Sequence, residues 1–181
     1  MHKPPLLLFI DFEASSLLPG TYPIEVGWIG DGVIGESHLI HPSAFPWGDW
    51  SYESEAIHGI SQDTLRRDGK PAEAVGRRLL EVLHGRQAVV GSTSLDRMWL
   101  ELLLETVGED PPALLSEPAA LLQTATDILG DQTAARKAVT LAQEARLDDI
   151  VHHRALPDAE DAYRLYRTLI AIAERMKAAR G

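Results

Sequence analysis

The residues best equipped for chemistry fall in three short stretches. Asp11-Phe12-Glu13 closes an apolar run near the N-terminus, Asp96 follows a second apolar run, and His153-Arg154-Ala155-Leu156-Pro157-Asp158 lies near the C-terminus. Together they supply four carboxylates and one imidazole. Carboxylate oxygens are hard ligands suited to Mg²⁺ or Mn²⁺. Four of them beside an imidazole are the parts needed to hold two divalent ions and activate a water against a phosphate ester.

Each stretch also has a plainer reading. Strand residues two apart share a face, so Asp11 and Glu13 emerge together where the apolar strand ends, but a lone Asp-x-Glu is common as a pair of exposed acids. Asp96 opens a helix, where an acid suits the dipole whatever else it does. Asp158 stands where a cap for the last helix is expected. An imidazole titrates near neutrality, so His153 suits a general base, yet it is one of seven histidines and His152 adjoins it. The order of all three stretches, rather than any one, carries the phosphoryl-ester reading.

The elements that must position these groups can be read from periodicity. Leu6-Leu7-Leu8-Phe9-Ile10, after Pro4-Pro5, is a continuous apolar run of the kind buried on both faces of a sheet. Tyr22 to Ile29 and Val33 to Ile40 are β-type runs separated by Gly30-Asp31-Gly32, a hairpin signal. Ser43 to Tyr52 reads as a loop holding four aromatics, a platform for base stacking or a segment folded onto the core. Ser61 to Arg67 reads as a short helix capped by Ser61, and Ala72 to Leu83 as an amphipathic helix after Pro71. Gln87 to Val90 is a further buried strand. Helices are expected over Leu95 to Val107, Glu117 to Leu129, Gln132 to Arg146 and Ala159 to Arg180. The order predicts one α/β domain over 1–181 with its sheet formed early.

The totals narrow the partners. The net charge is −10, whereas proteins that grip long duplex by its phosphates are usually basic. Two divalent ions on the four acids would leave about −6, still acidic. This favours a short or single-stranded end held in a local pocket. Arg66-Arg67, Lys70 and Arg77-Arg78 form the main basic concentration and read first as solvated helix faces; Arg154 is better placed for a phosphate. There are no cysteines, no run approaches the roughly 18 apolar residues of a membrane span, and the opening run lacks the features of a secretory leader. A cytoplasmic protein with no membrane partner is the expectation.

These stretches resemble the DEDDh (DnaQ-like) exonuclease superfamily, which includes polymerase proofreading subunits, RNase T and oligoribonuclease. Asp11 and Glu13 match its Asp-x-Glu, Asp96 its second-motif Asp, and His153, Ala155, Asp158 and Ala159 its His-x-Ala-x-x-Asp-Ala; Ile57-His58-Gly59-Ile60 is similar to its His-Gly-Ile segment. The match spans nearly the whole chain. The resemblance implies an RNase H-like fold, a mixed five-stranded sheet flanked by helices, and 3′-to-5′ exonuclease activity with two Mg²⁺ or Mn²⁺ ions. It implies that Asp11, Glu13 and Asp158 hold one ion, that Asp11 bridges to a second supported by Asp96, and that His153 is the general base. Ala14, Ser15, Leu17, His58, Ser92 and Arg154 become the expected substrate contacts. The sequence departs from the family at Gly91-Ser92-Thr93-Ser94-Leu95, where His-Asn-Ala and Phe are usual, and at Ala14-Ser15-Ser16-Leu17, where Thr-Thr-Gly-Leu is common. Expected partners are 3′ ends of single-stranded DNA or RNA, short oligonucleotides and, as in many relatives, a second copy in a homodimer. Two rivals stay open: a phosphodiesterase for dinucleotides or small phosphate esters, and a non-catalytic nucleic-acid-binding module.

Overall fold

The computed structural model describes residues 5–44, 49–91, 94–146 and 153–180. Five strands form one mixed sheet: β1 (Leu6–Ala14), β2 (Pro23–Gly30), β3 (Val33–Leu39), β4 (Arg86–Val90) and β5 (Leu114–Ser116), in the order β3-β2-β1-β4-β5. β1 runs antiparallel to β2 and parallel to β4, which explains its continuous apolar run: it is the central strand and is covered on both faces. The β2–β3 hairpin turns at Asp31-Gly32, with Gly32 at φ 73°.

Seven α-helices lie among the described residues: α1 (Tyr52–His58), α2 (Gln62–Asp68), α3 (Ala72–Leu83), α4 (Leu95–Glu105), α5 (Glu117–Leu129), α6 (Gln132–Glu144) and α7 (Ala155–Ala178). Side chains of β1 alternate between two cores. Leu8, Ile10, Phe12 and Ala14 join Leu79, Leu100 and Leu103 of α3 and α4 on one face. Leu7 and Phe9 join Leu121, Ala135, Leu165 and Leu169 of α5, α6 and α7 on the other.

The structure corrects several expected boundaries. β1 does not stop at Ile10; Asp11 and Glu13 lie inside it, paired with Gly27 and Glu25 of β2. The expected loop 43–52 begins as a 3-10 turn at Pro42–Ala44, and residues 45–48 lie outside the described set. Its end starts α1, because Ser51 accepts the Ser54 N–H and caps a helix. α4 ends at Glu105, not Val107, and α6 at Glu144, not Arg146. Pro71 occupies the N-cap of α3 rather than its first turn. β5 is only three residues long and had no periodic signal. α7 starts at Ala155, four residues before the expected Ala159, so Asp158 belongs to its first turn and is not its cap. Pro157 is tolerated there because first-turn N–H groups have no partner within the helix. Ser61 does cap α2, accepting from Thr64 N–H.

Candidate metal centre

Two neighbouring strands and one helix start build the site. Asp11 and Glu13 continue the face of β1 that Leu7 and Phe9 occupy, so the strand's own alternation turns from apolar to acidic as it leaves the core. Opposite them on β2 stand Gly27 and Glu25. Gly27 lets α7 approach: a Cβ there would sit 2.3 Å from the Leu156 nitrogen and 2.5 Å from the Ala155 carbonyl carbon. Glu25 then fixes the helix start. Its carboxylate accepts from Arg154 Nε at 2.9 Å, Arg154 Nη2 at 2.7 Å and the Ala155 N–H at 3.2 Å. Ser37 Oγ donates to the same group at 2.7 Å. Arg154, the N-cap residue, makes no side-chain cap bond, so a carboxylate from the sheet satisfies α7's first N–H instead.

This seating brings Asp158 to the β1 acids. One carboxylate oxygen from each of Asp11, Glu13 and Asp158 lies within 4.8 Å of the others. A hard, all-oxygen donor set of this kind fits Mg²⁺ or Mn²⁺. The electrostatics agree. Burial, then Asp96, Glu13 and Asp158, push the Asp11 carboxyl up to about 9. Burial, then Asp158 and Glu25, push Glu13 up to about 7 against the opposing charge of Arg154. Such crowding is unfavourable without a cation and is relieved by one. Glu25 behaves oppositely: burial acts to raise it, but its bonds from Arg154, Ser37 and Ala155 outweigh burial and hold it below the ordinary carboxylate range.

Asp96 lies in the first turn of α4 and is buried; it belongs to the same field, since its charge acts on Asp11, but not to the tight trio. A small cavity of about 60 Å³ is lined by two of the three acids, Asp11 and Asp158, with Gly91 and Glu117. His153 is exposed and takes a left-handed backbone, φ 49°, the only non-glycine residue to do so among the described residues. His58 closes α1 and is buried. Its Nδ1 accepts the Ile60 N–H at 3.0 Å, which puts the proton of the neutral ring on Nε2. That Nε2 has no hydrogen-bond partner among the described residues. Burial keeps the ring below its ordinary pKa, and His153 and Arg154 are among the charges that act on it.

No known family model matches the sequence, and no curated protein matches it either. Solved structures do match in shape. The zinc-bound E. coli ExoI–ssDNA complex superposes with a TM-score of 0.63 at 16% identity, over 98% of this chain and 41% of that one. A 3′-exonuclease that recognises the histone mRNA stem-loop gives 0.64 at 14%, over 94% of this chain and 65% of that one. The nuclease domain of 3′hExo, a DEDDh family member bound to rAMP, gives 0.61 at 15%, over 94% of both chains. The chain has the RNase H-like fold of the DEDDh exonucleases. It spans about two fifths of the ExoI chain it matches.

Within this fold the expected residues divide clearly. Asp11, Glu13 and Asp158 meet, and Asp96 stands near them. Ala14 and Ser15 are buried just past Glu13, and Leu17 is 71% exposed. Ser92 lies outside the described residues. Arg154 is held by Glu25, although its side chain keeps 46% of its exposure. Of the other basic residues, Arg66, Arg67 and Arg78 pair with Asp63, Asp68 and Glu36 on the surface, as solvated helix faces do. Of the loop aromatics, Phe45 and Trp47 lie outside the described residues, Trp50 donates to Glu55, and Tyr52 is exposed. Glu25, Gly27 and Glu117 were not singled out by the sequence. The only trace of the first two was a glutamate and a glycine interrupting an otherwise apolar strand.

Proposed function

We propose that this chain is a metal-dependent 3′-to-5′ exonuclease that hydrolyses terminal phosphodiesters of single-stranded or short nucleic acid and releases nucleoside monophosphates. The observation that carries the reading is the meeting of Asp11, Glu13 and Asp158 oxygens within 4.8 Å at the end of the central strand. The neighbours in shape, an ExoI in complex with ssDNA and a 3′-exonuclease that recognises a histone mRNA stem-loop, support nucleic acid as substrate.

In this reading Asp11, Glu13 and Asp158 hold one Mg²⁺ or Mn²⁺, and Asp11 with Asp96 supports a second. Bound divalent ions lower the pKa of a water and stabilise charge on a leaving oxygen. The chain's own groups do the rest. His153 accepts the proton of the attacking water, and its left-handed backbone is a strained conformation of the sort kept at functional sites. His58 Nε2–H is a neutral donor, buried in the free protein, that the terminal nucleotide would have to uncover to reach. Leu17 packs on the terminal base, with Ala14 and Ser15 behind it in sequence. Arg154 serves α7 first, and the donors of its Nη1, which bond nothing among the described residues, serve a phosphate oxygen.

A second reading, a phosphodiesterase for dinucleotides or other small esters, is favoured by the net charge of −10 and by the pairing of the surface arginines with acids. One panel separates the two: 5′-labelled single-stranded DNA and RNA, duplex and dinucleotides, each with Mg²⁺ or Mn²⁺. The proposal expects a ladder shortening from the 3′ end that Asp11→Asn abolishes. Turnover indifferent to strand length points to the small-ester reading, and no hydrolysis of any substrate refutes both. The mass in solution, measured on the same sample, decides whether a homodimer forms.

A further inference from the structure

The segment between β1 and β2 is built more firmly than a connecting loop requires. Residues 15–22 leave the sheet just after Ala14 and return at Pro23. Ser15, Ser16 and Thr21 are buried to 0%, 1% and 4% exposure, and each hydroxyl both donates and accepts. Thr21 Oγ1 donates to the Ser16 carbonyl at 2.6 Å and accepts the Ser16 N–H at 3.3 Å. Ser16 Oγ accepts the Leu18 N–H at 2.9 Å, and Ser15 Oγ accepts the Tyr22 N–H at 3.1 Å. The two serine hydroxyls converge as donors on one oxygen of Asp49, at 2.5 Å from Ser16 and 3.3 Å from Ser15. Two residues on, the Ser51 N–H donates to the Ser15 carbonyl at 2.9 Å, and Ser51 caps α1, the helix that ends at His58.

On this fixed polar base stand two apolar side chains in water, Leu17 at 71% and Leu18 at 63% exposure. Exposed leucines singly are unremarkable. Two adjacent ones, held by a half-buried carboxylate from more than thirty positions downstream and four residues past a site acid, are a surface kept in place.

We propose that Asp49 is a positioning residue for the substrate end: it locks residues 15–18 so that Leu17 and Leu18 face the terminal base, and ties that loop to α1 and His58. The proposal rests on the exonuclease reading above. Asp49 touches neither the acids nor the reacting atoms in this scheme. Its loss loosens base binding and leaves the metal centre intact.

The test compares wild type, Asp49→Ala and Asp49→Asn on two substrates, a single-stranded oligonucleotide and bis(p-nitrophenyl) phosphate, which has no base. Asp49→Ala is expected to raise KM for the oligonucleotide by about tenfold or more, with kcat/KM for the small ester and Mn²⁺ affinity within about twofold of wild type. Asp49→Asn keeps an acceptor oxygen for both serines and is expected to return KM to within about threefold of wild type. Should Asp49→Ala fail to fold, Ser16→Ala removes the shorter bond and is expected to raise KM in the same selective way. An unchanged oligonucleotide KM, an equal loss on both substrates, or no rescue by Asp49→Asn overturns the proposal. Wild type inert toward both substrates with Mg²⁺ and Mn²⁺ instead overturns the exonuclease reading on which it rests.

Discussion

The two faces of β1 start alike and end differently. On the face toward α3 and α4, Leu8, Ile10, Phe12 and Ala14 are apolar to the last residue. On the face toward α5, α6 and α7, Leu7 and Phe9 give way to Asp11 and Glu13. One strand thus anchors a continuous core on one side and carries that rigidity into an acid cluster on the other. The difference teaches how a crowded set of carboxylates is kept together. The cost of their mutual repulsion and burial is borne by a strand already fixed by the opposite face, and by a helix pressed onto β2 at Gly27 and held at Glu25. The site side should therefore trade stability for metal binding, and the other side should carry stability alone.

Substitutions on each face can break that contrast. The largest effect is expected at Asp11→Asn: a fall in kcat/KM of roughly three orders of magnitude, with a melting temperature of the metal-free protein no lower than wild type, because a buried repelled acid has been neutralised. If melting falls as for a core truncation, the contrast between the faces is wrong. Leu100→Ala on the opposite side is expected to cost about 2–5 kcal/mol in denaturant unfolding while the folded fraction keeps its kcat. Gly27→Ala joins both effects: unfolding easier by about 3 kcal/mol and loss of Mn²⁺ binding, since its Cβ overlaps the Ala155-Leu156 backbone.

Glu25→Gln sharpens the comparison more gently. It keeps the shape and removes the charge that holds Arg154 and α7, so Mn²⁺ affinity should drop about 10–100-fold. The smallest effect is the pH dependence of the metal-free protein. Asp11 and Glu13 have folded-state pKa values raised to about 9 and about 7. Their contribution is fully present below the ordinary carboxyl range near pH 4 and is lost as pH rises through about 7 and then about 9. Thermal melts between those limits should show falling stability with rising pH in chelator, a flatter profile in Glu13→Gln, and the opposite trend with Mn²⁺ added, because the ion competes with the protons.

How much of this the sequence disclosed follows the range of the interactions. The alternation that puts Asp11 and Glu13 on one face is local, as are the Asp31-Gly32 turn and the Ser61 cap, and all were legible. The start of α7 was not, because Pro157 reads as a boundary and the group that satisfies the helix start, Glu25, lies 130 positions away in sequence. Glu25 itself looks like a stray acid in a strand until Arg154 is set beside it. β5 is too short to show a period, and α1 was hidden by the aromatics before it, although Ser51 followed by Glu53 and Glu55 was a usable start signal. Asp49 was passed over because nothing near it in sequence reveals the serines it binds.

α7 delivers Asp158 to the β1 acids, and the three together form a donor set that could hold a metal ion. Calorimetric titration of chelator-treated protein with Mn²⁺ near pH 8, for wild type and Asp158→Asn, tests it most directly. The predicted result is saturable binding by wild type, with a heat that varies with the buffer's ionisation enthalpy because protons are released, and at least about tenfold weaker binding by Asp158→Asn. Equal binding by the two proteins, or none by wild type, would contradict it.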